Sequence, residues 1–146
     1  MKKDVIINIQ GRQFCEGEQD VIEMTTVGQQ EQQENGVFLQ YEEAIEEGGL
    51  PVTTTLTVSD HMATLERSGG MGGRMVIQQG QRHLCHYETG YGEFMIGVFG
   101  ESVESAFSDA GGELKLKYTI DINAVLASRN EIFITVKNKE ATGCLN

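Results

Sequence analysis

From residue 113 to residue 122 the chain alternates strictly. Leu114, Leu116, Tyr118, Ile120 and Ile122 fall on one side, and Glu113, Lys115, Lys117, Thr119 and Asp121 on the other. Side chains of an extended strand point alternately to opposite faces, so this segment predicts a strand with one wall in a core and one in water. Segment 130–137 repeats the pattern, with Ile132, Ile134 and Val136 opposite Glu131, Thr135 and Lys137. Period-two candidates continue upstream at 4–14, 19–28, 36–42, 51–59, 61–67, 74–79, 82–89 and 92–99. Segment 101–108 suits one helical turn through Val103, Ala106 and Phe107 or a strand through Val103, Ser105 and Phe107, and is read as a strand.

Turn signals separate these runs: Glu16-Gly17, Glu34-Asn35-Gly36, Gly48-Gly49-Leu50-Pro51, Ser59-Asp60, Gly69-Gly70, Gly80, Gly90 and Asp109-Ala110-Gly111-Gly112. The polar run Gln29–Glu34 ends in Asn-Gly and reads as a protruding hairpin tip. The gaps are too short for crossover helices, so neighbouring strands must pair antiparallel as a meander. About ten strands with one apolar face cannot stay an open flat sheet. An up-and-down meander closes most simply into a barrel, which also removes its edges. The expected fold is therefore all-β, an antiparallel meander closed into a barrel of about 8–10 strands. It occupies residues 1–146 as one domain, with 1–3 and 138–146 as loose tails.

Composition narrows the function classes. With 39% hydrophobic and 23% charged residues in 146, the chain can bury a real core. Its net charge of −11, from 11 basic and 22 acidic residues, argues against nucleic acid and against anionic membrane surfaces as partners. Cys15, Cys85 and Cys144 are widely spaced and odd in number, which indicates neither a disulfide framework nor a zinc knuckle. The apolar run after Lys2-Lys3 is too short for a secretory signal, and no stretch approaches a membrane span. The cytoplasm is the expected location.

Motifs for chemistry are sparse. His83 and Cys85 share a strand face, which offers a metal two ligands where zinc needs three or four, so no metal or cofactor is expected. The run Gly69-Gly70-Met71-Gly72-Gly73 is followed by Arg74 and a strand, whereas a phosphate cradle needs Gly-Lys-Ser/Thr and a helix. Neither GxSxG nor HExxH occurs. More informative are polar residues on otherwise apolar faces. Arg67 shares its face with Ala63 and Leu65, and Tyr87 and Thr89 share theirs with Cys85. If those faces line a lumen, a guanidinium there needs a carboxylate, carbonyls or an anionic ligand to offset its desolvation.

The same residues carry a resemblance. The order Tyr41-x-Glu43, Thr54, Arg67-Ser68-Gly69, Met75-x-Ile77, Tyr87-x-Thr89-x-x-Gly92 and Gly111-Gly112-x-Leu114-x-Leu116-x-Tyr118 is similar to that of the YwiB-like family. These are small bacterial proteins of uncharacterised function, and the resemblance runs from about Val5 to Val136. It implies a lipocalin-like, calycin-type β-barrel in a bacterial cytoplasm, and brings no catalytic residues with it. The candidate ligand-binding residues are Arg67, Tyr87, Thr89, Tyr118 and Tyr41. The first functional reading is a barrel that binds a small, partly apolar or acidic ligand. The second is a non-enzymatic interaction or accessory protein with a side-chain-filled barrel, and an enzyme comes third because no motif supports one.

Overall fold

A computed structural model describes residues 2–34, 36–43, 52–68, 73–89, 92–108 and 110–139, and the backbone alone at 43, 52, 68, 86–89 and 92–94. Ten strands follow one another: β1 (Lys2–Cys15), β2 (Glu18–Gln33), β3 (Gly36–Glu43), β4 (Val52–Ser59), β5 (Met62–Ser68), β6 (Gly73–Gln78), β7 (Arg82–Thr89), β8 (Gly92–Ser108), β9 (Gly111–Ile122) and β10 (Val125–Asn138). Each pairs antiparallel with the next, and β10 returns to β1, so the meander closes into a barrel. The turns are tight enough to demand this. Between β9 and β10, for example, Asn123 and Ala124 both take positive φ, the primed geometry that matches strand twist.

Cross-strand register explains why alternation produces a core. Ile7 faces Val136, Ile9 faces Ile134, Leu39 faces Leu56, Val58 faces Ala63, and Val103 faces Leu116. These pairs point inward together and are buried, with Ile7, Leu39 and Leu114 wholly so. The side chains between them face outward and mix polar residues with exposed apolar ones such as Val27, Leu84, Met95 and Phe99.

The two ends of the barrel differ. Strand β8 shifts register between Gly100 and Ser102. Its first half pairs with β7, and its second half leaves β7 behind and pairs with β9 alone. Beyond the shift, the Val103 N–H donates to Gln79 Oε1 at 3.0 Å and the Ser108 carbonyl accepts from Gln30 Nε2 at 3.0 Å. The Val103 carbonyl lies 3.3 Å from His61 Nδ1. Partners on β2, after β4 and after β6 mean that this half crosses one end of the barrel. A bulge bends a strand and raises its twist, which is what such a crossing needs. Val103 from this half packs with Val37, Val58, Ala63 and Ile77 as a closed floor.

At the opposite end the inner apolar side chains Met24, Leu65, Met75, Ile120 and Ile132 are only partly buried. Here β9, β10, β1 and the start of β2 continue as a projecting wall. Across its outer surface Arg82 clamps β7 to β9 with a two-point ion pair to Asp121, Nη2–Oδ1 2.6 Å and Nε–Oδ2 2.9 Å. The pair lies over Gly97, where any Cβ would collide with it. Hydrogen bonding to Arg82 holds the Asp121 carboxyl below its ordinary range.

Three details differ from the expectations above. Ile122 stands on the inner face, in register with Ile96, but is 43% exposed because β9 has already passed the end of the core. Residues 29–33 are not a hairpin tip. They are strand, paired with β3 throughout and with β1 as far as Glu31, and Gln30 is buried in the wall. Strand β1 takes in Lys2 and Lys3, since the β1–β2 ladder runs on to Lys2 opposite Glu31, and Asn138 still pairs with Val5.

Candidate functional site at the open end of the barrel

Register brings the candidate residues into one row. Tyr41 faces Thr54, Thr54 faces Arg67, Arg67 faces Gly73, and the Gly73 backbone faces that of Tyr87. Directly opposed residues on antiparallel strands share a face, so the row follows the inner rim across β3 to β7. Thr54 is fully buried and Tyr41 nearly so. The expectation that Arg67 points into the lumen needs correction. It lies on the inward face but is exposed, because it stands at the last turn of the wall, where a long side chain reaches water. Gly73 beside it adds no side chain to crowd it. The side chains of Tyr87 and Thr89 lie outside the described residues.

Tyr118 comes from the projecting wall and completes the group. It is buried, in register with Asn130, whose Nδ2 donates to Ser128 Oγ at 3.1 Å. Burial pushes the Tyr118 hydroxyl up to about 12, and the positive charge of Arg67 opposes that rise. The open end thus carries an exposed arginine charge beside buried phenols and a buried hydroxyl, above a partly covered apolar throat. Four of the five candidate residues have their backbone in one rim row or their charge coupled to it. Thr89, further along β7 opposite Gly92, is the fifth.

The phenol supplies a test. A group that holds its proton more tightly when folded contributes stability in full below its unfolded value, near 10, and loses it as the pH rises towards 12. Tyr118→Phe should therefore flatten the alkaline loss of stability between roughly pH 10 and 12, a difference of order 2–3 kcal/mol. Urea unfolding of both proteins across that range measures it. Parallel decline in the two would show that Tyr118 stays hydrated when folded.

Other features escaped sequence reasoning. Gln30, only 3% exposed, leaves its Oε1 without a hydrogen-bond partner among the described residues. Its burial was hidden by the polar run around it. Along the β6–β7 seam the described residues pair at Gly73 with Tyr87 and at Gln78 with Gln81, and between these the Val76 N–H donates to Cys85 Sγ at 3.4 Å. His83 instead meets Gln78, Nε2 to Oε1 at 2.7 Å, so the two side chains that share a face serve the seam separately. No group of three or more metal-ligating side chains occurs among the described residues. Two hollows lie along the outer wall. One of about 470 Å³ lies between Arg12, Val21, Lys115, Lys117 and Phe133, with Lys115 Nζ 5.6 Å from the Phe133 ring centre. One of about 420 Å³ lies between Asp4, Gln29, Gln40 and Thr53, bordered by Tyr41. No helix among the described residues is long and apolar enough to cross a membrane.

Architecture and rim together define a small, closed, ten-stranded antiparallel barrel with one filled end and one polar mouth. Residues 7–134 match the family described as a domain of unknown function, DUF1934, and the chain belongs to that family. It is similar to the uncharacterized beta-barrel protein YwiB of Bacillus subtilis (strain 168), 26% identical over 124 residues, covering 84% of this chain and 86% of that one. The crystal structure of the B. subtilis protein superposes with a TM-score of 0.83 at 22% identity, covering 94% of this chain and 92% of that one. That likeness shows the fold, and it agrees with the barrel derived from the alternation.

Proposed function

We propose that this bacterial barrel binds a small, partly apolar, acidic molecule at its open end, in the manner of lipocalin-like proteins, and does so in the cytoplasm without catalysing a reaction. The observation that carries this reading is Arg67 exposed on the inward face at the rim, in one row with Thr54 and Tyr41. Arg67 is placed to hold an anionic group, and guanidinium suits carboxylates because it donates in a planar fork. Tyr118 adds a neutral hydroxyl, since a phenol held up to about 12 stays protonated at ordinary pH, and Tyr41 and Thr54 stand in the same rim row as Arg67. Leu65, Met75 and Ile120, half covered below, would receive the apolar part.

Thermal unfolding with a panel of short-chain and fatty acids tests the reading. At least one acid should raise the wild-type midpoint, since a ligand at a hundred times its Kd adds about 2.7 kcal/mol. Arg67→Met should keep the ligand-free midpoint and lose the response. If no acid raises the wild-type midpoint and Arg67→Met is destabilised by itself, Arg67 serves the wall and not a ligand. The second reading, a filled barrel that acts through its outside, is favoured by the packed floor and by the two hollows on the outer wall.

A further inference from the structure

Strand β2 is paired along one side by β1, from Glu18 opposite Cys15 to Glu31 opposite Lys2. On its other side β3 covers only Gly28–Gln33, and among the described residues no strand pairs with 18–27 there. A strand edge turns the N–H and C=O of every second residue outward and so templates the addition of another strand. Natural edges are guarded by lysine, proline, bulges or a covering element. Among the described residues this edge has no lysine, proline, bulge or covering strand, and its only charges are the carboxylates of Glu18, Asp20 and Glu23. Its sequence EQDVIEMTTV holds no Lys, Arg or Pro, its ladder with β1 shows no register shift, and residues 18–23 are all exposed. Val21 is 64% exposed, Ile22 65% and Val27 53%. Val, Ile and Thr are also the residues that best suit a strand.

We propose that this edge pairs with the same edge of a second copy of the chain, antiparallel about a two-fold axis, so that two barrels share one continuous sheet. The register follows from symmetry and charge. An axis normal to the sheet keeps inner faces on the same side, so it must pass through a residue and not between two. Centred on Ile22, the pairing sets Ile22 against Ile22, Val21 against Glu23, Asp20 against Met24, Gln19 against Thr25 and Glu18 against Thr26. No like charges oppose one another, and the row uses nearly the whole free segment. Centring on Glu23 would put two carboxylates together on the axis, which is unfavourable. The chosen register also brings Glu23 of the second copy beside Val21, one strand from Arg12. Arg12 has no carboxylate within ion-pair distance among the described residues. The net charge of −11 on each copy opposes association over distance, and salt screens it, so the dimer should strengthen as ionic strength rises.

Sedimentation of the full chain over a wide range of concentration tests the proposal. A reversible dimer is expected, and Ile22→Lys, which places two ammonium groups on the axis, should abolish it. Because Ile22 is exposed, that variant should keep the wild-type circular dichroism and unfolding midpoint. In a Cys15→Ser, Cys144→Ser background, Ile22→Cys should form a disulfide-linked dimer on mild oxidation and Val27→Cys should not. A chain that stays monomeric throughout overturns the proposal. So does a dimer that survives Ile22→Lys, or equal cross-linking at positions 22 and 27.

Discussion

Leu116→Ala is expected to destabilise the fold by about 2–5 kcal/mol, while Lys117→Ala, its immediate neighbour, should change stability by roughly half a kcal/mol at most. Leu116 is 3% exposed and stands between Val103 on β8 and Ile132 on β10, so truncation removes apolar contacts from both sides and leaves a cavity the bent sheet cannot easily close. Lys117 points outward beside Glu131 in the same ladder and is exposed. Domains of this size are stable by only about 5–15 kcal/mol, so the leucine loss is a large fraction of the whole. Urea unfolding of the two variants measures the contrast directly. Equal effects would mean that the inner and outer faces of β9 had been exchanged.

That contrast marks the part of the fold which the sequence makes legible. Alternation on β9 and β10 identifies the inward residues because burial of one face is a local, period-two property. Short turns dictate antiparallel neighbours, and ten such strands with one apolar face dictate closure. What alternation cannot supply is where each strand leaves the core. Ile122 continues the pattern perfectly and is nonetheless at the rim, because the pattern reports facing and not depth. Gln30 errs the other way: a run of glutamines and glutamates looks like solvent, yet one member is buried where the crossing half of β8 supplies Ser108 as a partner. That crossing depends on the register shift after Gly100, which leaves no local signature beyond the glycine.

The candidate site was legible only in part. Arg67 stood out because it shares a face with Ala63 and Leu65, and Tyr41, Thr54 and Tyr118 entered through the family resemblance. Their assembly is a tertiary fact. Tyr41, Thr54 and Arg67 join through two successive ladders, and Tyr118 approaches from the opposite wall, on a strand far along the chain. Arg67 is exposed and stands outside the buried core, so a change there should affect the proposed binding without unfolding the barrel. That separation is what makes the acid-binding test interpretable.

The floor is where a single methyl group should do the most harm. Gly111→Ala is expected to cost more than Gly17→Ala, although both glycines have positive φ, +120° and +81°. At Gly17 a Cβ would meet nothing within 4 Å, so the cost is backbone strain alone, about 1–2 kcal/mol. At Gly111, buried opposite Ser108 and Lys137, the strain is about 1–3 kcal/mol, and the new Cβ would also overlap the Val136 carbonyl oxygen. Backbone cannot swing aside as a side chain can, so β9 and β10 must part at the position where β10 also pairs with β1. Overpacking of this kind adds about 1–3 kcal/mol. Gly111→Ala should therefore fall about 2–6 kcal/mol below wild type in urea unfolding, with Gly17→Ala within about 2. If the two variants unfold at the same denaturant concentration, the close approach to Val136 is relieved at no cost, and conformational freedom alone explains why glycine begins β9.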